Sequence, residues 1–285
     1  MSKLRTEAHP GPPSRRRPGR PRGAATRARP PRRDEILAAL LPPLAALEGV
    51  HAIWEAGVAS WGQIDRWSDI DLNVDCDDER VGEVFPVVER ALRSLAPLAL
   101  NYRIPHPEEH AYQQAFYRLR GCDPCLLIDL AVFRRSAEDK FLEPETHGPA
   151  RILFERPPGI RPPKLDRRGL ARRIRARRER LRLRFEAFGC FVPKEIGREN
   201  WIEAFENYKR VYLDTLLELL RMRFHPVHFE FGFRYVHREL PPRVLRRLQP
   251  LYFVRDAADL GRKRRAAERW IREELRAGRG AEGSR

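Results

Sequence analysis

The chain has 285 residues, 42% hydrophobic and 34% charged, and its net charge of +16 is carried largely by arginine, since six of the 56 basic residues are lysine. That length permits one large domain or two ordinary ones with a real core. No apolar run approaches the roughly 18 residues of a membrane span, the basic N-terminus lacks an apolar signal core, and four cysteines (Cys76, Cys122, Cys125, Cys190) are too few for a disulfide scaffold. The expectation is a soluble protein of a reducing compartment, the cytoplasm.

Residues 1–33 hold 11 basic and 1 acidic side chains with almost nothing apolar, so a disordered basic tail is expected there. Within it, Pro18 to Gly23 resembles the minor-groove-binding AT-hook at its Gly-Arg-Pro core alone. Asp34 is placed to cap a helix through Leu41, and Pro42-Pro43 should end or kink it. Val50 to Glu55 reads as a strand closed by Gly57, followed by a short helix over 58–64. The next strand, Ile70 to Val74, carries the main chemical signal. Asp69 and Asp71 are two apart, so they project from one face while Ile70 and Leu72 point into a core. Two such carboxylates repel unless a cation sits between them, and hard oxygen ligands suit Mg²⁺.

Val81 to Leu95 has helical spacing, and Leu98 to Ile104 is a candidate strand. Tyr112–Leu119 and Leu126–Phe133 read as strands joined by a tight turn at Gly121-Cys122-Asp123-Pro124, which accounts for Cys122 and Cys125 without a metal. Asp129 is the one charge in the second of these strands, so it needs a metal or a partner, for which Arg118 and Arg120 are the obvious candidates. Residues 34–133 hold 7 basic and 17 acidic side chains, whereas residues 134–285 hold 38 and 22. An acidic part that holds metal beside a basic part that holds polyphosphate fits that division, as does ordinary solvated charge. A Pro-rich linker follows at 151–163, then helices: an Arg-rich one to Phe188, one over about 197–223, two shorter segments punctuated by Pro226 and Pro241-Pro242, and a last one over about 257–277. The aromatic residues at helical spacing there read as core.

Gly57 to Leu72 together with Asp129 resembles the DNA polymerase beta-like nucleotidyltransferase superfamily, nearest its small bacterial, antibiotic-modifying branch. The turn Gly57, then Gly62, then Ser68-Asp69-Ile70-Asp71-Leu72 stand at that family's spacing, and Gln114-Ala-Phe-Tyr fits the strand before the third carboxylate. Two positions depart: Val58 stands where the family has Ser, and Trp61 where it often has Arg. The resemblance implies an α+β fold, a mixed sheet flanked by helices and followed by a helical bundle. It divides the chain into a catalytic domain over 34–150 and a substrate-binding domain over 151–285. It implies two Mg²⁺ ions on Asp69, Asp71 and Asp129, with Asp129 also a general base, and nucleotide contacts from Gly57, Ser60 and Ser68. Arginines of the helix between Asp166 and Phe188 are candidates to neutralise triphosphate or acceptor. The implied reaction moves a nucleoside monophosphate from a nucleoside triphosphate, ATP first, to a small-molecule hydroxyl. The alternatives are modification of tRNA or protein, as in related toxins, and a non-catalytic relative that binds nucleotide or nucleic acid through its basic tail and C-terminal half.

Overall fold

The computed structural model describes residues 29–107 and 109–280. Helix α1 (Arg33–Ala46) leads into β1 (Val50–Glu55), a 3-10 turn (Gly57–Trp61), β2 (Ile70–Cys76) and α2 (Val81–Leu95). Then come β3 (Leu98–Arg103), β4 (Tyr112–Leu119), β5 (Ile128–Arg134), the single turn α3 (Pro144–His147) and β6 (Arg151–Glu155). The strands make one sheet in the order β3-β4-β5-β2-β1-β6. Only the central β2–β5 pair is parallel.

The alternation in β2 and β5 decides which face is which. Ile70, Leu72, Val74, Ile128, Leu130 and Val132 bury against Ile36, Leu40 and Leu44 of α1 and Val84, Phe85 and Val88 of α2. Period two then turns Asp71, Asn73 and Asp129 to the other face, where the single turn α3 is the helix of this half that lines the space beside them. Burial of that one-sided core, not local propensity, carries α1 through Pro42 and Pro43 to Ala46, where the sequence suggested a break or kink. Pro42 is solvent-exposed, so the carbonyls that lose their helical donors lie toward water.

The helical half comprises α4 (Arg167–Phe188), α5 (Phe191–Gly197), α6 (Trp201–Asn207), a π-helical segment (Tyr208–Leu213), α7 (Asp214–Phe224), α8 (Val236–Glu239), α9 (Pro242–Tyr252) and α10 (Ala257–Gly280). Its core gathers Leu181, Phe185, Tyr208, Tyr212, Leu216 and Trp270, so some of the periodic aromatics are core as expected, whereas Phe188 and Trp201, also expected there, are exposed. The Tyr208 and Tyr212 hydroxyls donate to the carbonyls of Leu251 and Gly189, at 3.0 and 2.6 Å. The architecture is therefore α+β, a mixed open sheet flanked by helices and followed by a helical region.

Several boundaries move, among them the start of β5, at Ile128 rather than Leu126, and the turn after β1, which ends at Trp61 rather than at 64. The stretch read as a linker contains β6, which pairs with β1, so the sheet extends past residue 150 to Glu155. A five-residue edge strand flanked by prolines gives little pattern to read. The helix expected over 197–223 is interrupted near Asn200, whose amide donates to buried Glu195 at 2.7 Å, and widened at Tyr208–Leu213, where a π turn lets Tyr208, Val211, Tyr212 and Leu213 all face inward. At the start, Arg33 belongs to α1 rather than to the tail; the rest of that expected tail up to residue 28, including Pro18 to Gly23, lies outside the described residues. Among the described residues no helix is long and apolar enough to cross a membrane. The cysteines are free thiols.

Candidate active site

A cavity of about 780 Å³ opens on this second face of the sheet. Its floor carries Asp69, Asp71 and Asp129, its rim Gly57, Val58 and Ser68, and its far wall Phe231, Arg234, Tyr235 and Arg238 from the helical half. Asp71 and Asp129 are register partners on the parallel β2–β5 pair, so their backbones are neighbours across about 4.8 Å. Asp69 stands one residue before β2. Its Oδ1 accepts from the Leu127 amide at 3.2 Å and its carbonyl accepts from Arg33. Arg33 also pairs with the fully buried Glu55, whose other oxygen takes Arg151 at 2.7 Å, so an ion-pair cluster behind the sheet fixes the strand ends that present the aspartates.

The electrostatics of the three carboxylates differ. The Asp71 carboxylate, mostly buried, accepts no hydrogen bond from the described residues. Burial first, then the charges of Asp129 and Asp69, push its pKa up to about 6. Asp129 is also raised by burial, against the Gln114 amide, which donates to its Oδ1 at 2.7 Å. Its partner is therefore an amide of the adjacent strand rather than an arginine; Arg118 is turned to the carbonyl of Pro124. An anionic floor made of oxygen ligands, with one carboxylate left without a donor, fits hard divalent cations such as Mg²⁺. The tightest His/Asp/Glu cluster among the described residues is elsewhere: His225, His228 and Glu239 bring ligand atoms within 4.8 Å of one another. There Glu239 already pairs with the buried Arg221, and both His228 nitrogens meet oxygens, Glu239 at 2.5 Å and the Thr146 carbonyl at 2.6 Å. Glu239 and His228 are thus satisfied without a metal, whereas His225 Nδ1 is buried with no hydrogen-bond partner among the described residues.

The residues expected to face phosphate divide. Gly57 has φ of +60°, and a Cβ on it would lie 1.9 Å from Asp71 Oδ2, so only glycine lets this turn close on the carboxylate. Ser60 is buried, and its hydroxyl donates to the Glu55 carbonyl at 3.3 Å rather than into the cavity. The Ser68 hydroxyl accepts from the Asp65 amide at 2.8 Å and donates to the Asp65 carboxylate at 2.9 Å, tying the loop that delivers Asp69. The arginines of α4 do not line the cavity; the cations that do are Arg234 and Arg238, the latter donating to Gln63 at 2.7 Å. Sequence reading also missed an aromatic wall. Tyr112 packs edge-on to Phe141 (5.7 Å between centroids), Phe141 lies 5.3 Å from His147, and His147 6.2 Å from Phe231. The available signal was Phe231-Gly-Phe-Arg-Tyr235, an aromatic and cationic run without helical period inside an otherwise helical half.

No family model and no curated protein matches the chain. Among solved structures, it is similar to an aminoglycoside 6-adenyltransferase from Bacillus subtilis at 14% identity, over 85% of this chain and 88% of that one, with a TM-score of 0.33. That likeness is too distant to argue from, and the reading of the site stands on its own geometry.

Proposed function

We propose that the protein is a cytoplasmic, Mg²⁺-dependent nucleotidyltransferase that moves a nucleoside monophosphate from a nucleoside triphosphate, ATP first, to a hydroxyl of a small molecule. The observation that supports this best is Asp71: a mostly buried carboxylate without a hydrogen-bond donor among the described residues, sharing one cavity floor with Asp69 and Asp129. Transfers at phosphorus need charge neutralisation and in-line placement more than covalent catalysis, and a cluster of this kind supplies both.

Asp69, Asp71 and Asp129 would hold two divalent ions, which supply charge neutralisation at the attacking and leaving oxygens. Gly57 keeps the first turn against Asp71 and brings backbone to the phosphates. Asp129 takes the acceptor's proton as its hydroxyl oxygen bonds to the α-phosphorus. Its Oδ2 has no protein donor among the described residues and can accept that proton. The bond from the α-phosphorus to the bridging oxygen breaks, and pyrophosphate leaves with that electron pair. The aromatic wall of Tyr112, Phe141 and Phe231 offers flat faces to a base or to an apolar acceptor.

The test is an acceptor screen. The full chain is incubated with Mg²⁺, α-labelled triphosphates and pools of hydroxylated small molecules, with tRNA and protein as parallel arms. Transfer to a small molecule that falls at least about 10³-fold in Asp69→Asn supports the reading. Transfer to tRNA or protein alone replaces the acceptor class. No transfer in any arm, with triphosphate bound equally well by Asp69→Asn, rejects the enzyme.

A further inference from the structure

The wall facing the three aspartates is a stretch of the helical half with little regular structure, Phe229–Tyr235 followed by α8. Two of its residues are left-handed, Gly232 at φ 56° and Tyr235 at φ 57°. A tyrosine stays in that conformation only when its surroundings hold it there. The holder is Arg221 of α7, with 0% of its surface exposed. Its Nε donates to the Gly232 carbonyl at 2.7 Å, its Nη1 to the His228 carbonyl at 3.2 Å and to the Glu239 carboxylate, and its Nη2 to the Arg234 carbonyl. Glu239 and His228 pass the connection on to the carbonyl of Thr146, beside the cavity residue His147.

A fully buried guanidinium is costly unless its donors are satisfied, and an apolar residue of similar size would pack a helical core as well. Here those donors converge on a single segment, on the carbonyls of His228, Gly232 and Arg234 and on the Glu239 carboxylate, and its outward side chains, Arg234, Tyr235 and Arg238, enter the cavity. The Arg234 charge is felt by the Asp129 carboxylate across it.

We infer that Arg221 is a positioning residue that locks the Phe229–Glu239 segment over the carboxylates, and that Arg234, held in this way, is the cation that binds the phosphate tail of the triphosphate and the departing pyrophosphate. This rests on the nucleotidyltransfer reading. A guanidinium suits that task because it presents fixed, always-charged donors to phosphate oxygens, while the carboxylates opposite are left to the metal. It also accounts for Val58: a side-chain hydroxyl in the first turn is dispensable where an arginine arrives from the other half of the molecule.

The experiment measures binding of inorganic tripolyphosphate to the full chain with Mn²⁺ by calorimetry, and of Mn²⁺ alone. Arg234→Gln should weaken tripolyphosphate about tenfold or more without weakening Mn²⁺, and Arg234→Lys should recover part of the loss. Arg221→Lys should weaken tripolyphosphate likewise, and the double variant should bind no more weakly than Arg234→Gln alone, because both changes remove one contact. Should Arg221→Lys not fold, Glu239→Gln takes its place with the same non-additivity expected. Wild-type affinity in Arg234→Gln, or losses that multiply in the double variant, would overturn the inference. Those results leave the nucleotidyltransfer reading standing as long as Asp69→Asn abolishes binding. A wild-type chain that binds no Mn²⁺–tripolyphosphate rejects both.

Discussion

Replacing Gly57 by alanine tests how tightly the first turn is fitted to the metal-binding floor. The backbone there is left-handed, at φ +60°, which costs an alanine about 1–2 kcal/mol. For a chain of this size that lowers the melting temperature by about 2–8 °C. The contact is the larger effect. The new Cβ would stand 1.9 Å from Asp71 Oδ2, and atoms without a bond between them need roughly 3.5 Å, so the carboxylate or the turn must retreat by about 1.5 Å. A displacement of about 1 Å in a reacting constellation costs about 100-fold. Gly57→Ala should therefore fold, melt a few degrees lower, and lose about 100-fold or more in the rate of transfer from a Mg²⁺-bound triphosphate. A transfer-rate assay beside a thermal melt checks this. A variant that transfers within about threefold of the wild-type rate would refute the argument that Gly57 sets the place of Asp71.

Burial and two like charges raise Asp71 to about 6, so the folded, metal-free protein binds that proton more tightly than the unfolded chain does. Its contribution to stability is then fully present below the unfolded value near 3.8 and is lost as pH rises through about 6. Metal-free protein should gain stability from pH 7 to 5, Asp71→Asn should flatten that gain, and stabilisation by added Mg²⁺ should grow from pH 5 to 7, all readable from thermal melts. Asp259 has the opposite sign. Hydrogen bonds from Lys263 and from the Arg255 amide lower its pKa to about 2, so its contribution is present above the unfolded value near 3.8 and lost as pH falls through about 2. Acid loosening of α10, followed by hydrogen exchange, should lose this component in Asp259→Asn. Because the Ser60 hydroxyl faces the Glu55 carbonyl, Ser60→Ala should cost about 1 kcal/mol of stability in a denaturant titration and leave triphosphate affinity unchanged.

The carboxylates were legible in sequence because strand alternation is rigid. Once Ile70, Leu72 and Leu130 are assigned inward, Asp71 and Asp129 have only the other face, and β2–β5 register brings them side by side. Gly57 was legible as a turn, though its contact with Asp71 is a tertiary fact. Ser60 was misread because a five-residue 3-10 turn has no settled side-chain direction, and a buried carbonyl took its hydroxyl. The wall that carries Arg234 and Tyr235 was hidden for another reason. Its shape depends on Arg221, and a guanidinium buried inside α7 looks, in sequence, like any other arginine of a basic helix. The α4 arginines illustrate the converse: a conspicuous charge run meets solvent or, at Arg177 and Arg178, Glu218 and the Glu274 carbonyl, while the cations that reach the cavity sit in a short irregular segment.

The central claim is that this cavity breaks a triphosphate at its α-phosphorus. It is tested most directly by incubating the full chain and Mg²⁺ with triphosphate labelled at the α- or at the γ-position, over the acceptor pools. The account predicts that α-label moves to the acceptor, γ-label appears only in pyrophosphate, and both depend on Asp69, Asp71 and Asp129. Transfer of the γ-label to the acceptor, or α-label transfer that persists when all three aspartates are replaced by asparagine, would contradict it.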